Sequence, residues 1–247
     1  MFRALRHILC LAALLLAVPA GAAMAAEETL TIVFEEYPPY EYLEGETPRG
    51  INIEIIREAF SRMGVRPVFR TMPWKRGLYE LKNGTIAALA SGFRTPDREK
   101  FAYFPHHYLS LEVNSIFVCR EGSIRVDSLK DLRGKTVGVV REYAYGTEFD
   151  TLTGMLLDPV NNNTLLVGKL ADRRVDAIAG NLRVIEYLAE RLGVEERIRP
   201  AYNLSSEPLY LFFSRKAGPH MPDLVRRYDS AMSAMEADGT LRRLRDR

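Results

Sequence analysis

Cysteine is almost missing from the 247 residues: there are two, Cys10 and Cys119. Cys10 lies in an apolar N-terminal run expected to be removed, so Cys119 cannot form an internal disulfide, and it reads as a small apolar strand residue. Histidine is equally scarce. The four histidines, His7, His106, His107 and His220, show neither metal-ligand nor thiol-activating spacing. No catalytic residue, metal or cofactor is therefore predicted. An excess of one charge is also missing, because Arg3 and Arg6 alone account for the formal +2 of 34 basic against 32 acidic residues. Without a basic stripe there is no case for nucleic acid, and without a like-charge run there is none for a disordered tail. No apolar stretch reaches the roughly 20 residues that span a bilayer.

The N-terminus has the pattern of a secretory signal. Arg3 and Arg6 are its charged start, Ile8 to Val18 its apolar core, and Ala23-Met24-Ala25 its small-residue cleavage site. Residues 1–25 are expected to be a signal peptide cleaved near Ala25, leaving a mature protein in the periplasm. Cys10 sits inside the apolar core, not at its downstream end, so no lipid anchor is expected. At 47% hydrophobic residues, the remainder can bury one large core or two small ones.

Leu30 to Phe34 reads as a first strand, leading into Glu35-Glu36-Tyr37-Pro38-Pro39-Tyr40-Glu41-Tyr42. Its prolines forbid helix and central strand, which leaves a stiff loop carrying three tyrosines. Gly50 precedes an amphipathic helix with Ile55, Ile56, Ala59, Phe60 and Met63 at helical spacing. A strand over Val65 to Met72, a helix opened by Trp74, and a strand over Ile86 to Ala90 follow. Strand alternating with helix argues a parallel sheet with right-handed crossovers. The pattern then restarts with a short helix capped by Asp127 and a buried strand over Lys135 to Val140. Leu170 to Asn181 echoes Leu81 to Gly92, so two similar α/β lobes are expected. Two extended runs, Leu109 to Val118 and Leu209 to Phe213, are placed as crossovers forming a hinge, and one C-terminal helix from Met221 to Arg247 returns to the first lobe.

Ser91-Gly92-Phe93-Arg94-Thr95-Pro96-Asp97-Arg98 is the focal stretch. A strand ends at Gly92, and proline opens a helical turn that holds Arg98. A strand end, a helix start and a guanidinium fork together suit an anion. The alternative is an ordinary capped turn with a surface-paired arginine.

Several pieces in this order resemble the family 3 periplasmic solute-binding proteins: Tyr37-Pro38-Pro39-Tyr40, Gly50 with its helix, Thr95-Pro96-Asp97-Arg98 with Phe104-Pro105, Ser128 to Val139, Val175-Asp176-Ala177, and Ala237 to Leu241. The resemblance implies a two-lobed periplasmic-binding-protein-like (type II) fold. Lobe 1 would comprise 26–110 and 207–247, and lobe 2 would comprise 111–206. It also implies a monomer that takes a small polar, carboxylate-bearing ligand and passes it to an ABC permease, with no chemistry of its own. A ligand-sensing subunit of a membrane kinase and a dehydratase-like enzyme on the same scaffold remain as alternatives.

By the same resemblance, Arg98 would hold a ligand carboxylate with Ser91 beside it. Tyr37 would cover the ligand, Trp74 would form an apolar wall, and Tyr143 and Ala144 would occupy the second-lobe turn. Asn181 stands where many amino-acid binders have an aspartate, and Phe93 replaces a hydroxyl. With Arg76, Arg94 and Arg141 as possible further cations, a carboxylate or other anion is expected at least as readily as an ordinary zwitterion.

Overall fold

In the computed structural model the described residues are 28–121 and 124–246. The expected signal peptide lies outside them. The first half runs β1 (Glu28–Phe34), a hairpin of β2 (Tyr42–Glu44) and β3 (Thr47–Arg49), α1 (Ile51–Arg62), β4 (Val65–Thr71), α2 (Trp74–Asn83), β5 (Ala88–Gly92), α3 (Pro96–Glu99), β6 (Ala102–Tyr103) and β7 (Ser110–Cys119). The second runs β8 (Thr136–Val140), α4 (Thr147–Asp150), β9 (Leu156–Val160), α5 (Asn163–Ala171), β10 (Ala177–Asn181), α6 (Leu182–Arg191), β11 (Ile198–Ser214), α7 (Met221–Ala237) and α8 (Thr240–Arg245).

The strand order β4-β1-β5-β11-β7-β10-β8-β9 resolves into two parallel sets, β4-β1-β5 and β10-β8-β9, joined by β11 and β7 in the middle. This is the two-lobed α/β arrangement. β7 and β11 pair antiparallel from Ile198 opposite Cys119 to Leu209 opposite Ser110, after which β11 continues along β5. A single strand therefore belongs to both lobes.

Apolar periodicity explains the packing. Ile53, Ile56 and Phe60 of α1 meet Ile32 and Phe34 of β1, and Leu224, Tyr228, Met232 and Met235 of α7 close the same core from the other end of the chain. A separate core forms between β10 and α5, with Ile178 against Leu166, Val167 and Leu170. At ~25 cal/mol per Å² of apolar surface buried, such clusters supply most of each lobe's cohesion. Cys119 is buried in the second core, with its thiol 3.1 Å from the Leu170 carbonyl.

Several elements differ from the sequence reading. β5 begins at Ala88, not Ile86, and runs on to Gly92, which pairs with Tyr210. The run Leu209 to Phe213 is only the last part of a 17-residue strand, whose first part is too polar to stand out. The short turn at Leu129–Leu132 is capped by Ser128, not Asp127: the Asp131 carboxylate accepts from the Ser128 and Asp127 backbone N–H groups. The C-terminal helix is two helices, because Gly239 at φ 76° takes a left-handed conformation that a helix cannot continue through.

Candidate functional site

The cleft between the lobes begins where β1 ends. Tyr37 and Glu41 exchange backbone hydrogen bonds at 2.7 and 3.1 Å, closing a tight loop across Pro38-Pro39 that turns Tyr37, Tyr40 and Glu41 inward. Gly50, at φ 115°, lets this loop lie on the start of α1, since a Cβ there would come within 2.2 Å of the Tyr40 carbonyl oxygen. Asn52 on α1 then reaches across, donating from Nδ2 to Glu41 Oε2 at 3.1 Å and to Ser91 Oγ at 2.8 Å. Ser91 also donates to Glu41 and sits at φ 63°, a conformation that a non-glycine residue holds only under constraint.

The aromatic wall and the arginine come next. Trp74 opens α2 and Phe93 follows β5, while Thr95 accepts from the Arg98 backbone N–H and fixes the turn that carries Arg98. Arg98 is only 7% exposed. Its Nη1 donates to the Phe93 carbonyl at 2.9 Å, its Nη2 to the Glu142 carbonyl of the other lobe at 3.0 Å, and its guanidinium lies 5.1 Å over the Trp74 ring. Trp74 Nε1 donates to that same Glu142 oxygen at 3.0 Å. Glu142, whose carbonyl accepts both bonds, also has positive φ, 64°. Tyr143, next in sequence, donates its hydroxyl to Glu35 and packs edge-on against Tyr37 and Trp74.

A third acid arrives from the hinge. On β7, Ser110, Glu112 and Asn114 face inward while Leu111 is 53% exposed. Glu112 Oε2 accepts from the Tyr37 hydroxyl at 2.9 Å. Asn181 lies close by. Its Oδ1 caps α6 by accepting from the Val184 N–H at 3.0 Å, and its buried Nδ2 has no partner of normal geometry.

Burial dominates the electrostatics. It pushes Glu35 and Glu112 up to about 7 and Glu41 up to about 8, against an ordinary value of 4.5. Hydrogen bonds from Tyr143 and the Trp74 backbone partly offset this at Glu35, from Ser91 and Asn52 at Glu41, and from Tyr37 at Glu112, where the nearby Asn114 and Asn181 side chains add a smaller pull in the same direction. Burial also lowers Arg98 to about 10. The site thus encloses three carboxyl groups and one guanidinium whose two outer nitrogens are spent on backbone carbonyls.

These groups surround a cavity of about 30 Å³, room for a water or two in this closed arrangement, lined by Glu35, Tyr37, Glu41, Trp74, Ser91, Gly92, Phe93, Arg98, Glu112, Tyr143, Ala144 and Leu209. Glu35 also borders a larger outer groove of about 930 Å³, where Glu36 and Tyr42 face Asn161, Asn163 and Tyr187.

Of the residues singled out from sequence, Tyr37, Trp74, Ser91, Phe93, Arg98, Tyr143 and Ala144 come together here. Arg76 and Arg94 do not. The Arg76 side chain is 69% exposed and lies 3.7 Å from Glu80, and the half-exposed Arg94 pairs with Glu99 at 2.5 Å. Arg141 donates to Asn161 at 3.1 Å on the exposed side. Asn181 lies behind the inner cavity, bordering a separate hollow with Tyr40 and Ser110. Sequence reasoning did not select Glu41 or Glu112. The signal for Glu112 was the Ser110-x-Glu112-x-Asn114 alternation, which puts three polar side chains on one face of a strand.

Comparison with known proteins agrees with this geometry. The arginine-binding extracellular protein ArtP of Bacillus subtilis (strain 168) is 26% identical over 225 residues, which is 85% of this chain and 81% of that one. The L-cystine-binding protein TcyA of the same organism is 23% identical over 211 residues, 84% and 76% of the two chains. Among solved structures, a histidine kinase sensor domain with similarity to periplasmic binding proteins superposes with a TM-score of 0.79 at 20% identity, covering 90% of this chain and 96% of that one. The profile of the bacterial extracellular solute-binding proteins, family 3, matches residues 30–247, so this chain belongs to that family.

Proposed function

We propose that the protein is an exported solute receptor that closes on a small amino-acid-type ligand in the interlobe cleft and delivers it to an ABC permease. The observation that carries this reading is the convergence on one point, the Glu142 carbonyl of the second lobe, of Arg98 and Trp74 from the first. That oxygen occupies the position a ligand carboxylate would take on the Arg98 fork, with Ser91 beside it and Tyr37, Trp74, Phe93 and Tyr143 as walls. The lobes divide at about 110 and 207, where Ser110 faces Leu209 and Glu112 faces Glu207 on the paired strands. Delivery to a permease is supported by the family and by a relative named as an ABC transporter arginine-binding protein.

The test is a thermal-shift screen of amino acids, amines and small acids, followed by calorimetry. A ligand at about a hundred times its dissociation constant should add roughly 2.7 kcal/mol of stability. Recovering that ligand chemically unchanged after long incubation supports a receptor, whereas turnover would favour an enzyme on this scaffold. The likeness to a kinase sensor domain supports a second reading, in which the same cleft senses its ligand for a membrane kinase. Reconstitution with an amino-acid-type ABC permease from the same organism separates the two, because only a transport receptor stimulates its ATP hydrolysis.

A further inference from the structure

We infer that the hollow on the hinge side of the molecule, bounded by Arg183 of the second lobe and Arg245 of the first, is an accessory site for a small oxyanion such as inorganic phosphate or sulfate. This site is separate from the interlobe cleft and goes beyond the receptor reading.

The hollow measures about 340 Å³ and lies beside the first residues of β7, ahead of Asn114, where the pairing of β7 with β10 begins. Two guanidinium groups border it and no carboxyl group does among the described residues, whereas the inner cavity has three glutamates. Arg183, in the first turn of α6, is exposed and makes no hydrogen bond or ion pair with the described residues. Arg245, on α8, is held in place: its Nε donates to the Leu109 carbonyl at 2.7 Å and its Nη2 to the Tyr108 carbonyl, which leaves Nη1 without a partner among the described residues. The first turns of α1 and α6 both reach the hollow and bring the positive ends of two helices to its edge.

Two buried side chains in the same wall lack a partner. Ser110 is 6% exposed and its hydroxyl has none; Asn181 is 2% exposed and its Nδ2 has none of normal geometry. A buried donor left unsatisfied is costly, and an oxyanion accepts from hydroxyl, amide and guanidinium alike. The Tyr40 phenol, in this wall too, senses the same bias. Burial raises it, with Glu112 and Glu41 adding to the rise, while Asn181 and Arg183 pull it down and so favour negative charge here. Neither glutamate borders the hollow; both line the inner cavity. Because α8 packs into the first core through Leu241 and α6 into the second through Ile185, an anion held between Arg245 and Arg183 bridges the two lobes on the side away from the cleft.

The probes are inorganic phosphate and sulfate, titrated into the mature wild-type protein by thermal shift and calorimetry with ionic strength held constant by sodium chloride. The expected result is saturable stabilisation that weakens about fivefold or more in Arg183→Gln, a substitution at an exposed side chain that should leave the fold intact. Ser110→Ala should weaken it by more than about twofold without lowering the melting temperature in the absence of the anion, because it removes a hydroxyl that has no partner in the protein. Arg98→Ala is the control for an anion in the cleft and should leave the stabilisation in place. Three results would each overturn the proposal and leave the receptor reading intact: no saturable effect of either anion, affinity within about twofold of wild type in Arg183→Gln or Ser110→Ala, and loss of the effect in Arg98→Ala but not in Arg183→Gln.

Discussion

Arg98 Nη2 and the Glu142 carbonyl oxygen lie 3.0 Å apart across the cleft, so the guanidinium that marks the candidate anion site also fastens one lobe to the other. Arg98→Ala should weaken binding of the best ligand of the screen by about 2–4 kcal/mol, since it removes the partner of the ligand's carboxylate. Arg98→Lys should not restore it, because an ammonium cannot offer a carboxylate the two parallel donors of a planar fork. Calorimetry decides this, and unchanged affinity in either variant would remove Arg98 from the site.

At Glu142 the backbone matters and the side chain does not. Glycine or asparagine accepts a φ of 64° readily, so Glu142→Gly and Glu142→Asn should keep affinity for that ligand within about threefold. Glu142→Val, β-branched at positive φ, should cost about 1–2 kcal/mol in urea denaturation and weaken binding as well. Equal behaviour of all three would mean that the carbonyl does not need this conformation.

The glutamates fix the sign of a pH dependence. A carboxyl whose folded value is raised keeps its proton more tightly when folded, so its stabilising contribution is complete below the unfolded value and is lost as pH rises through the folded one. With Glu35 and Glu112 at about 7 and Glu41 at about 8, the window runs from pH 4.5 to 8. Ligand-free protein should lose stability across it, at up to about 1.4 kcal/mol per pH unit for each ionising group, with the three titrating as a coupled set. Urea midpoints at pH 5, 6, 7 and 8 measure the slope. Glu41→Gln should flatten it, and a midpoint that rises with pH would contradict the burial argument.

Gly92 lines the cavity and leaves no room for a methyl group. A Cβ there would lie 2.4 Å from Phe212 Cε1 and 2.9 Å from Trp74 Cη2. Gly92→Ala should therefore cost about 1–3 kcal/mol and shift the Trp74 ring. Because Trp74 is the single tryptophan of the chain, its emission spectrum reports the shift directly. A variant with wild-type stability and emission would show that Phe212 moves aside freely.

The alternation of strands and helices was legible because parallel strands are continuous apolar runs and α1 carries a clean apolar stripe. The site was legible where short-range geometry decides it, as at Thr95-Pro96-Asp97-Arg98. It was misjudged where nearness in sequence stood in for direction. Two residues along a helix turn about 200° around its axis, so with Trp74 facing the cleft Arg76 points away. Arg94 departs from Phe93 in the same way, as adjacent residues in extended chain do. Glu112 was hidden for the opposite reason. Hydrophobic patterning would put Leu111 and Val113 inside, and only a polar cleft on that side of β7 reverses the choice.

The 17 residues of β11, laddered along β7 and then β5, act as a leaf spring shared by both lobes. Register shifts between Pro200 and Tyr202, between Asn203 and Ser205, and between Tyr210 and Phe212 mark where that leaf can flex without giving up its ladder. Glu112 sits on the partner strand between the last two of these points, opposite Glu207. A side chain there stands at the fulcrum between the lobes and not at the tip of either arm, so a change in its protonation is felt by both lobes at once.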